Sequence, residues 1–187
     1  MKVTGGIAGG IPIDVLKGTR TRPTTDRIRE SMFGSLRERV QDARVLDLFS
    51  GSGALGLEAA SRGASRVDMV EKHAGTCKNI ERNAGKLGKA GVKTSMKVHC
   101  HDSTRYMKSS ALEPVDLLFA DPPYTYFEAN GSYDDFLTAV KKSKILKQDG
   151  LMVVESSSRV KPGENADWTC IKEKNYGAST LRYWQHS

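Results

Sequence analysis

The stretch that decides the fold runs from Arg44 to Glu71, RVLDLFSGSGALGLEAASRGASRVDMVE. It opens on a short run of strand formers, Val45-Leu46-Asp47-Leu48-Phe49, and breaks at Gly51-Ser52-Gly53. Ala54 to Ser61 then reads as a helix with Leu55, Leu57, Ala59 and Ala60 apolar. Gly63 ends that helix, and Val67-Asp68-Met69-Val70 reads as a second strand closing on Glu71. Strand, glycine turn, helix and strand make a βαβ unit, whose right-handed crossover requires parallel strands. Glycines at the turn let backbone N–H groups and a helix N-terminus approach a ligand. An acid about 20 residues beyond the first glycine is placed to hold ribose hydroxyls. The unit predicts a site for a nucleoside-containing cofactor.

Two cofactor classes fit that turn. Gly51-Ser52-Gly53-Ala54-Leu55-Gly56 matches the dinucleotide fingerprint GxGxxG. Asp47, in the strand leading into the turn, argues the other way. A carboxylate aimed at the loop repels a pyrophosphate and suits a ligand carrying an ammonium and a sulfonium, as S-adenosylmethionine does. The alternative role for Asp47 is to brace the loop.

A second motif bears on the choice: Leu117-Leu118-Phe119-Ala120-Asp121-Pro122-Pro123-Tyr124. Two prolines lack N–H donors and fix φ, so the strand ends at Asp121. In open α/β sheets that carboxyl end is where ligands bind. Asp-Pro-Pro-Tyr resembles the hallmark of amino-group methyltransferases. The resemblance implies that Asp121 and the Pro122 carbonyl accept hydrogen bonds from an exocyclic amine while Tyr124 stacks on the base. The chemistry explains these residue types. An aryl amine holds its lone pair in the ring, and two acceptors fixed on its N–H groups turn that pair toward a methyl donor.

At 187 residues the chain is predicted to form one domain, with residues 1–25 as a basic arm or hairpin and 26–187 as the core. No apolar run approaches a membrane span, and the N-terminus lacks the layout of a signal peptide. Cys77, Cys100 and Cys170 are read as reduced thiols, which with the rest predicts a cytoplasmic protein. The net charge of +7 is unevenly spread. Residues 1–44 and 141–187 each carry nine Lys/Arg against five Asp/Glu, while 45–140 carry eleven against twelve. Two basic ends around a near-neutral middle suggest a polyanionic partner.

Between an N-terminal stretch with hairpin character and the first helix lies Arg20-Thr21-Arg22-Pro23-Thr24-Thr25-Asp26-Arg27-Ile28-Arg29-Glu30. Pro23 keeps Arg22 extended, and Thr24 or Thr25 caps a helix with Asp26 in its first turn. Ile28, Met32, Phe33, Leu36 and Val40 form its buried face. Arg20 and Arg22, on an extended arm, are candidates for phosphate contacts.

The Arg-Pro-Thr block, the Leu-Asp-Leu-Phe-Ser-Gly-Ser-Gly-Ala-Leu-Gly turn, Arg62-Gly63-Ala64 and Asp-Pro-Pro-Tyr stand in one order over nearly the whole chain. Together they resemble the RsmD family, bacterial enzymes that methylate the N2 amine of a guanine in small-subunit (16S) ribosomal RNA. The resemblance implies a Rossmann-like class I fold, a doubly wound and mostly parallel seven-stranded sheet with an antiparallel last strand. It implies S-adenosylmethionine as methyl donor, held by Asp47, Phe49, Gly51, Gly53, Glu71, Lys72, Asp102, Ser103 and Asp121. Substrate contacts are expected from Arg20, Arg22, Thr24, Arg29, Tyr124 and Tyr126. The implied partner is small-subunit RNA or an assembling small subunit, met by a monomer. For Asp102 a helix cap is the competing role.

Lys72–Leu87 reads as a helix, Ser95–Cys100 as a strand, 134–143 as a helix and Leu151–Glu155 as a strand opened by Gly150. Strands near Trp168–Lys172 and Ser179–Trp184 are expected to pair around Asn175-Tyr176-Gly177, with both tryptophans packing on the sheet. Asn83 is read as structural. His99 and His101 share a strand face, but with no carboxylate or thiol evident to complete a ligand set no metal is expected. An amino methyltransferase for adenine N6 or a protein glutamine shares the catalytic residues. A dehydrogenase leaves Asp121-Pro122-Pro123-Tyr124 unused, and a non-enzymatic RNA-binding module leaves the whole motif set unused.

Overall fold

The computed structural model describes residues 1–16, 25–109, 113–123, 126–129 and 131–187. The helices are α1 (Asp26–Leu36), α2 (Ala54–Ser61), α3 (Ala74–Lys89), α4 (Ser103–Tyr106), α5 (Tyr126–Ala129) and α6 (Tyr133–Ser143). The strands are β1 (Arg44–Leu48), β2 (Arg66–Glu71), β3 (Ser95–Cys100), β4 (Val115–Ala120), β5 (Leu146–Ser157), β6 (Trp168–Tyr176) and β7 (Ser179–His186). They form one seven-stranded sheet in the order β3-β2-β1-β4-β5-β7-β6. The first five strands are parallel, and β7 runs antiparallel to both β5 and β6. This is the doubly wound, mostly parallel architecture that the family resemblance implied, and β1 and β2 are parallel as the βαβ reading required.

Each face of the sheet buries its own apolar cluster. On one side α1 and α2 pack Ile28, Met32, Phe33, Leu36 and Leu57 against Val45, Phe119, Val153 and Tyr183. On the other, Phe136, Leu137 and Val140 of α6 cover Leu46, Leu118, Met152 and Trp184. Alternate residues of β1 therefore serve opposite faces, as a central strand requires. Trp168 and Trp184 are buried, donating to the Leu137 carbonyl and the Tyr133 hydroxyl respectively (each 3.0 Å).

Two boundaries differ from the sequence reading for local reasons. Val115 pairs with Leu146, then the register shifts so that Leu117 pairs with Leu151. The strand therefore begins ahead of Gly150, with the extra residues taken up in the irregularity. The β6–β7 turn is Gly177-Ala178, because Tyr176 already pairs with Ser179 and Gly177 takes a φ of 60°.

The N-terminal residues fold back on themselves through a bridge between Lys2 and Pro12. Val3, Ala8 and Ile13 join the cluster beneath α2. Asn83 holds this segment, its amide accepting from the Asp14 N–H and donating to the Asp14 carbonyl (both 3.0 Å). A second tie is the carboxylate of Glu58, which accepts from the Thr4 N–H (2.8 Å), the Thr4 hydroxyl (2.7 Å) and Arg62 Nε (2.8 Å). Arg29 completes it, 3.8 Å from Glu58 and 2.9 Å from Asp26, and donates to the Lys2 carbonyl.

Arg29 is thereby corrected from its expected place among the substrate contacts. It is fully buried and joins α1, α2 and the N-terminal hairpin. A charge with no exposure cannot greet a polyanion, and removing it opens a void between α1, α2 and the hairpin and leaves Glu58 with Arg62 as its remaining cationic partner. Arg29→Ala is expected to lower the free energy of unfolding by about 3–5 kcal/mol, read as a lower urea midpoint.

Candidate functional site

The turn after β1 is shaped by two carboxylates. Asp47 is buried beneath it, and its Oδ2 accepts the Gly56 N–H of α2 at 2.9 Å. Glu71, at the end of β2, reaches across so that one oxygen accepts the Gly51 N–H (3.1 Å) and the other the His73 N–H (2.9 Å). Gly51 and Gly53 adopt φ of 52° and 79°, conformations costly for other residues. A Cβ on Gly53 would lie 2.9 Å from the Ile80 side chain. At Gly56 it would meet Met69 at 2.6 Å, so that glycine sets how closely α2 packs on β2.

Phe49 lies between the strand and the turn with φ of 62°, a sparsely populated region for a bulky residue. Its N–H is taken by the Ser103 hydroxyl at 3.2 Å, and its ring meets the Tyr126 ring edge-on with centroids 4.8 Å apart. Tyr126 is hydrogen-bonded to Thr104 (3.0 Å) and also contacts Phe127 and Phe136. Burial pushes its phenol above the ordinary value, against the opposing Thr104 bond. Asp102 caps α4 by accepting the Arg105 N–H (3.0 Å), and Lys72 is exposed just after Glu71.

Strand register gathers most of the expected residues at one rim. Leu48 pairs with Val70 and with Ala120, so Phe49 and Asp121 begin the segments leaving the sheet beside Glu71. Pro122 is buried directly after Asp121. Glu71 is bonded to Gly51, and Phe49 touches Ser103 and the Tyr126 ring, while Asp47 and Gly53 belong to the same turn and Asp102 and Lys72 lie beside Ser103 and Glu71 in sequence. Arg20, Arg22, Thr24 and Tyr124 lie outside the described residues.

The histidine pair differs from the sequence reading. His99 does have a carboxylate partner, Asp68, at 2.7 Å across β2 and β3. Burial raises the Asp68 carboxyl, but bonds from His99 and Arg66 outweigh it and leave the value low. This is a satisfied pair on an outer strand; among the described residues no group of three metal-type side chains occurs. Ser103, buried beneath the strained Phe49, gains a structural task that spacing did not reveal.

The arrangement tests well against an adenosine-bearing cation. Glu71 stands at the end of β2, where an acid for the ribose was expected, and among the described residues no lysine or arginine is bonded to it or to Asp47. Such a turn disfavours a pyrophosphate.

Comparisons with known proteins bear on the same residues. The family model described as Conserved hypothetical protein 95 matches residues 1–185. A protein of Escherichia coli (strain K12) named Ribosomal RNA small subunit methyltransferase D is 31% identical over 193 residues, covering 99% of this chain and 89% of that relative. Its Haemophilus influenzae namesake is 28% identical, covering 100% and 94%. The solved yhhF protein of Escherichia coli superposes with a TM-score of 0.85 at 31% identity, covering 100% of this chain and 98% of that one. Among the described residues no helix is long and apolar enough to cross a membrane.

Burial pushes the Asp47 carboxyl from its ordinary 3.8 up to about 7, against opposing bonds from Gly56 and Ser50 and with Glu71 adding repulsion. Between those pH values the native state keeps a proton that the unfolded chain has released. This group therefore makes stability fall as pH rises through that window. Asp68 and Asp116 are held low and contribute the opposite trend further down the scale. Urea unfolding of the wild type and Asp47→Asn across pH is expected to isolate the Asp47 share. The difference should reach a few kcal/mol by neutrality and vanish below the ordinary carboxylate range.

Proposed function

The chain belongs to the Conserved hypothetical protein 95 family, and we propose that it is an S-adenosylmethionine-dependent methyltransferase acting on the N2 amine of a guanine in small-subunit ribosomal RNA. The observation that carries this reading is the adjacency of the Asp121-Pro122 exit from β4 to the carboxylate-braced turn after β1, one strand away. Curated relatives named for small-subunit ribosomal RNA methylation supply the substrate class. Guanine N2 rests on the family resemblance, because two acceptors after β4 suit any exocyclic amine.

The bound cofactor supplies a methyl group on a positively charged sulfur, open to in-line attack by a nitrogen lone pair. Glu71 takes the ribose hydroxyls, while Phe49, Gly51 and Gly53 frame the ligand with Lys72, Asp102 and Ser103 at its margins. Asp47 holds the turn in shape through the Gly56 N–H, and a cation bound above it would favour its ionised form. Asp121 and the Pro122 carbonyl accept the two N–H bonds of the target amine, so that the lone pair leaves the plane of the base. The proton shed by the alkylated nitrogen passes to Asp121 or to solvent. Tyr124 stacks on the base, and Tyr126, already packed on Phe49, walls that side of the site.

Extruding a stacked guanine costs a few kcal/mol, which base stacking and contacts to phosphates offset. The segment with Arg20, Arg22 and Thr24 leaves from Leu16, whose side chain neighbours Gly75 at the start of α3, close to the Glu71 rim. That starting point suits an arm laid over the substrate. We read the protein as one domain, with arm 1–25 on core 26–187, working as a cytoplasmic monomer on small-subunit RNA or an assembling subunit.

The test is transfer of labelled methyl from S-adenosylmethionine to small subunits, and to their protein-free RNA, from cells lacking the enzyme, followed by nucleoside analysis. Label in N2-methylguanosine is expected. Label in N6-methyladenosine would move the substrate to the runner-up, and label in protein alone would refute the RNA assignment. Asp121→Ala is expected to cut turnover about a hundredfold or more, while cofactor affinity, followed calorimetrically, falls far less because Asp121 is one cofactor contact among several.

A further inference from the structure

We infer that α1 and the edge strand β6 together form a binding site for a backbone phosphate of the RNA substrate, built from Lys172, Lys174, Ser31, Ser35 and Tyr176. The inference rests on the RNA-methylating reading above and adds a docking point to it. The Lys174 ammonium donates to the hydroxyls of Ser31 and Ser35, each at 2.9 Å. The Lys172 ammonium donates to the same Ser35 hydroxyl at 3.3 Å and lies 5.8 Å from the centre of the Tyr183 ring. Tyr176 donates to Ser31 as well. Ser35 has already given its own hydrogen to the Ser31 carbonyl (2.9 Å), so its oxygen only accepts from the lysines.

Two positive charges thus converge on one hydroxyl. Among the described residues no carboxylate lies within ion-pair distance of either: Glu173, the acid between them in sequence, is bonded to Arg182 instead. Like charges held this close repel unless an anion joins them. Each ammonium has three N–H bonds, so three of the six remain for a ligand beyond the contacts to Ser31 and Ser35. A tetrahedral oxyanion between two lysines and two serines meets that demand.

Backbone geometry gives the cluster its aim. The register shift between Cys170 and Lys172 resets the alternation of β6, so Lys172, Lys174 and Tyr176 all face α1. Ser31 and Ser35, four apart, share one face of that helix. Lysines on an edge strand also discourage edge-to-edge pairing, but that task needs charge in solvent and no serine cradle.

The register also places the cluster relative to the chemistry. Lys174 pairs with Leu181, Leu181 with Glu155, and Glu155 follows Val154, the partner of Ala120. Lys174 therefore stands level with Asp121 and three strand spacings away, roughly 14 Å along the rim. This distance suits a phosphate a few nucleotides from the extruded base. The two basic ends of the sequence, one holding α1 and the other β6, meet at this point.

The experiment compares the wild type with Lys172→Gln/Lys174→Gln, using a small-subunit RNA fragment titrated over a range of salt. Each neutralised phosphate contributes about 0.7 to the slope of log K against log salt for single-stranded RNA. Because both lysines hold one phosphate, the double variant is expected to show a slope shallower by about 0.7 and a KM for RNA raised roughly tenfold. Its kcat, cofactor affinity and melting temperature should be unchanged. Lys172→Arg/Lys174→Arg should keep the wild-type slope, as should Lys89→Gln/Lys93→Gln at the opposite end of the sheet. A full slope in the first variant, with the wild type methylating RNA, overturns this inference alone. A wild type that neither binds nor methylates RNA overturns the functional reading with it.

Discussion

The turn between β1 and α2 is held by carboxylates on two sides, and that constraint sets what the site can accept. Asp47 fixes the Gly56 N–H from below and Glu71 fixes the Gly51 N–H from the neighbouring strand. Backbone donors that often cradle phosphate in glycine turns are here spent on the protein's own acids. The strained φ of Phe49 belongs to the same device, because it turns the ring away from the strand's alternation and onto Tyr126. Strain of that kind costs on the order of 1–3 kcal/mol and persists where its surroundings over-determine it. Here the Ser103 hydroxyl and the aromatic cluster do so.

The buried Glu58 carboxylate plays a matching part at the N-terminal end. Through Thr4, Arg29 and Arg62 it joins the hairpin, α1 and α2, while Asn79 and Asn83 hold the Asp14 carbonyl. Buried ion pairs add little net stability over an apolar equivalent. What this network adds is placement: Asp14 is held by Asn79 and Asn83, and Thr25 caps α1.

The βαβ unit and the buried face of the first helix were legible in the sequence because each follows from a local period, whereas the mostly parallel seven-stranded sheet was implied by the family resemblance. Ile28, Met32, Phe33 and Leu36 recur at helical spacing on α1 and are buried, as is Val40 in the short 3-10 turn that follows it. Residues whose role depends on a distant partner were not legible. Arg29 has the composition of a phosphate ligand, and only the position of Glu58 on another helix makes it a core residue. His99 lacked a visible partner because Asp68 reaches it across strands, and a bulge at residue 171 cannot be read from an exposed isoleucine. Asp47 shows the middle case: sequence placed its carboxylate at the turn, whereas its bond to Gly56 needed coordinates.

Charge along the strand ends brings these pieces into one arrangement. The centre of the rim carries Glu71, Asp121 and Glu155, groups suited to a cationic cofactor and to the N–H bonds of an amine. Lysines lie at its β6 end, and the basic arm sets out from the far side, near α3. A polyanion crossing the centre alone would be repelled by the acids that the chemistry requires. Separating phosphate contacts from the reacting centre by several strands lets one molecule hold both a positive cofactor and a negative backbone. The +4, −1, +4 distribution in sequence is the one-dimensional trace of that separation, since α1 and β6 come from the two basic ends and the acids between them come chiefly from the middle.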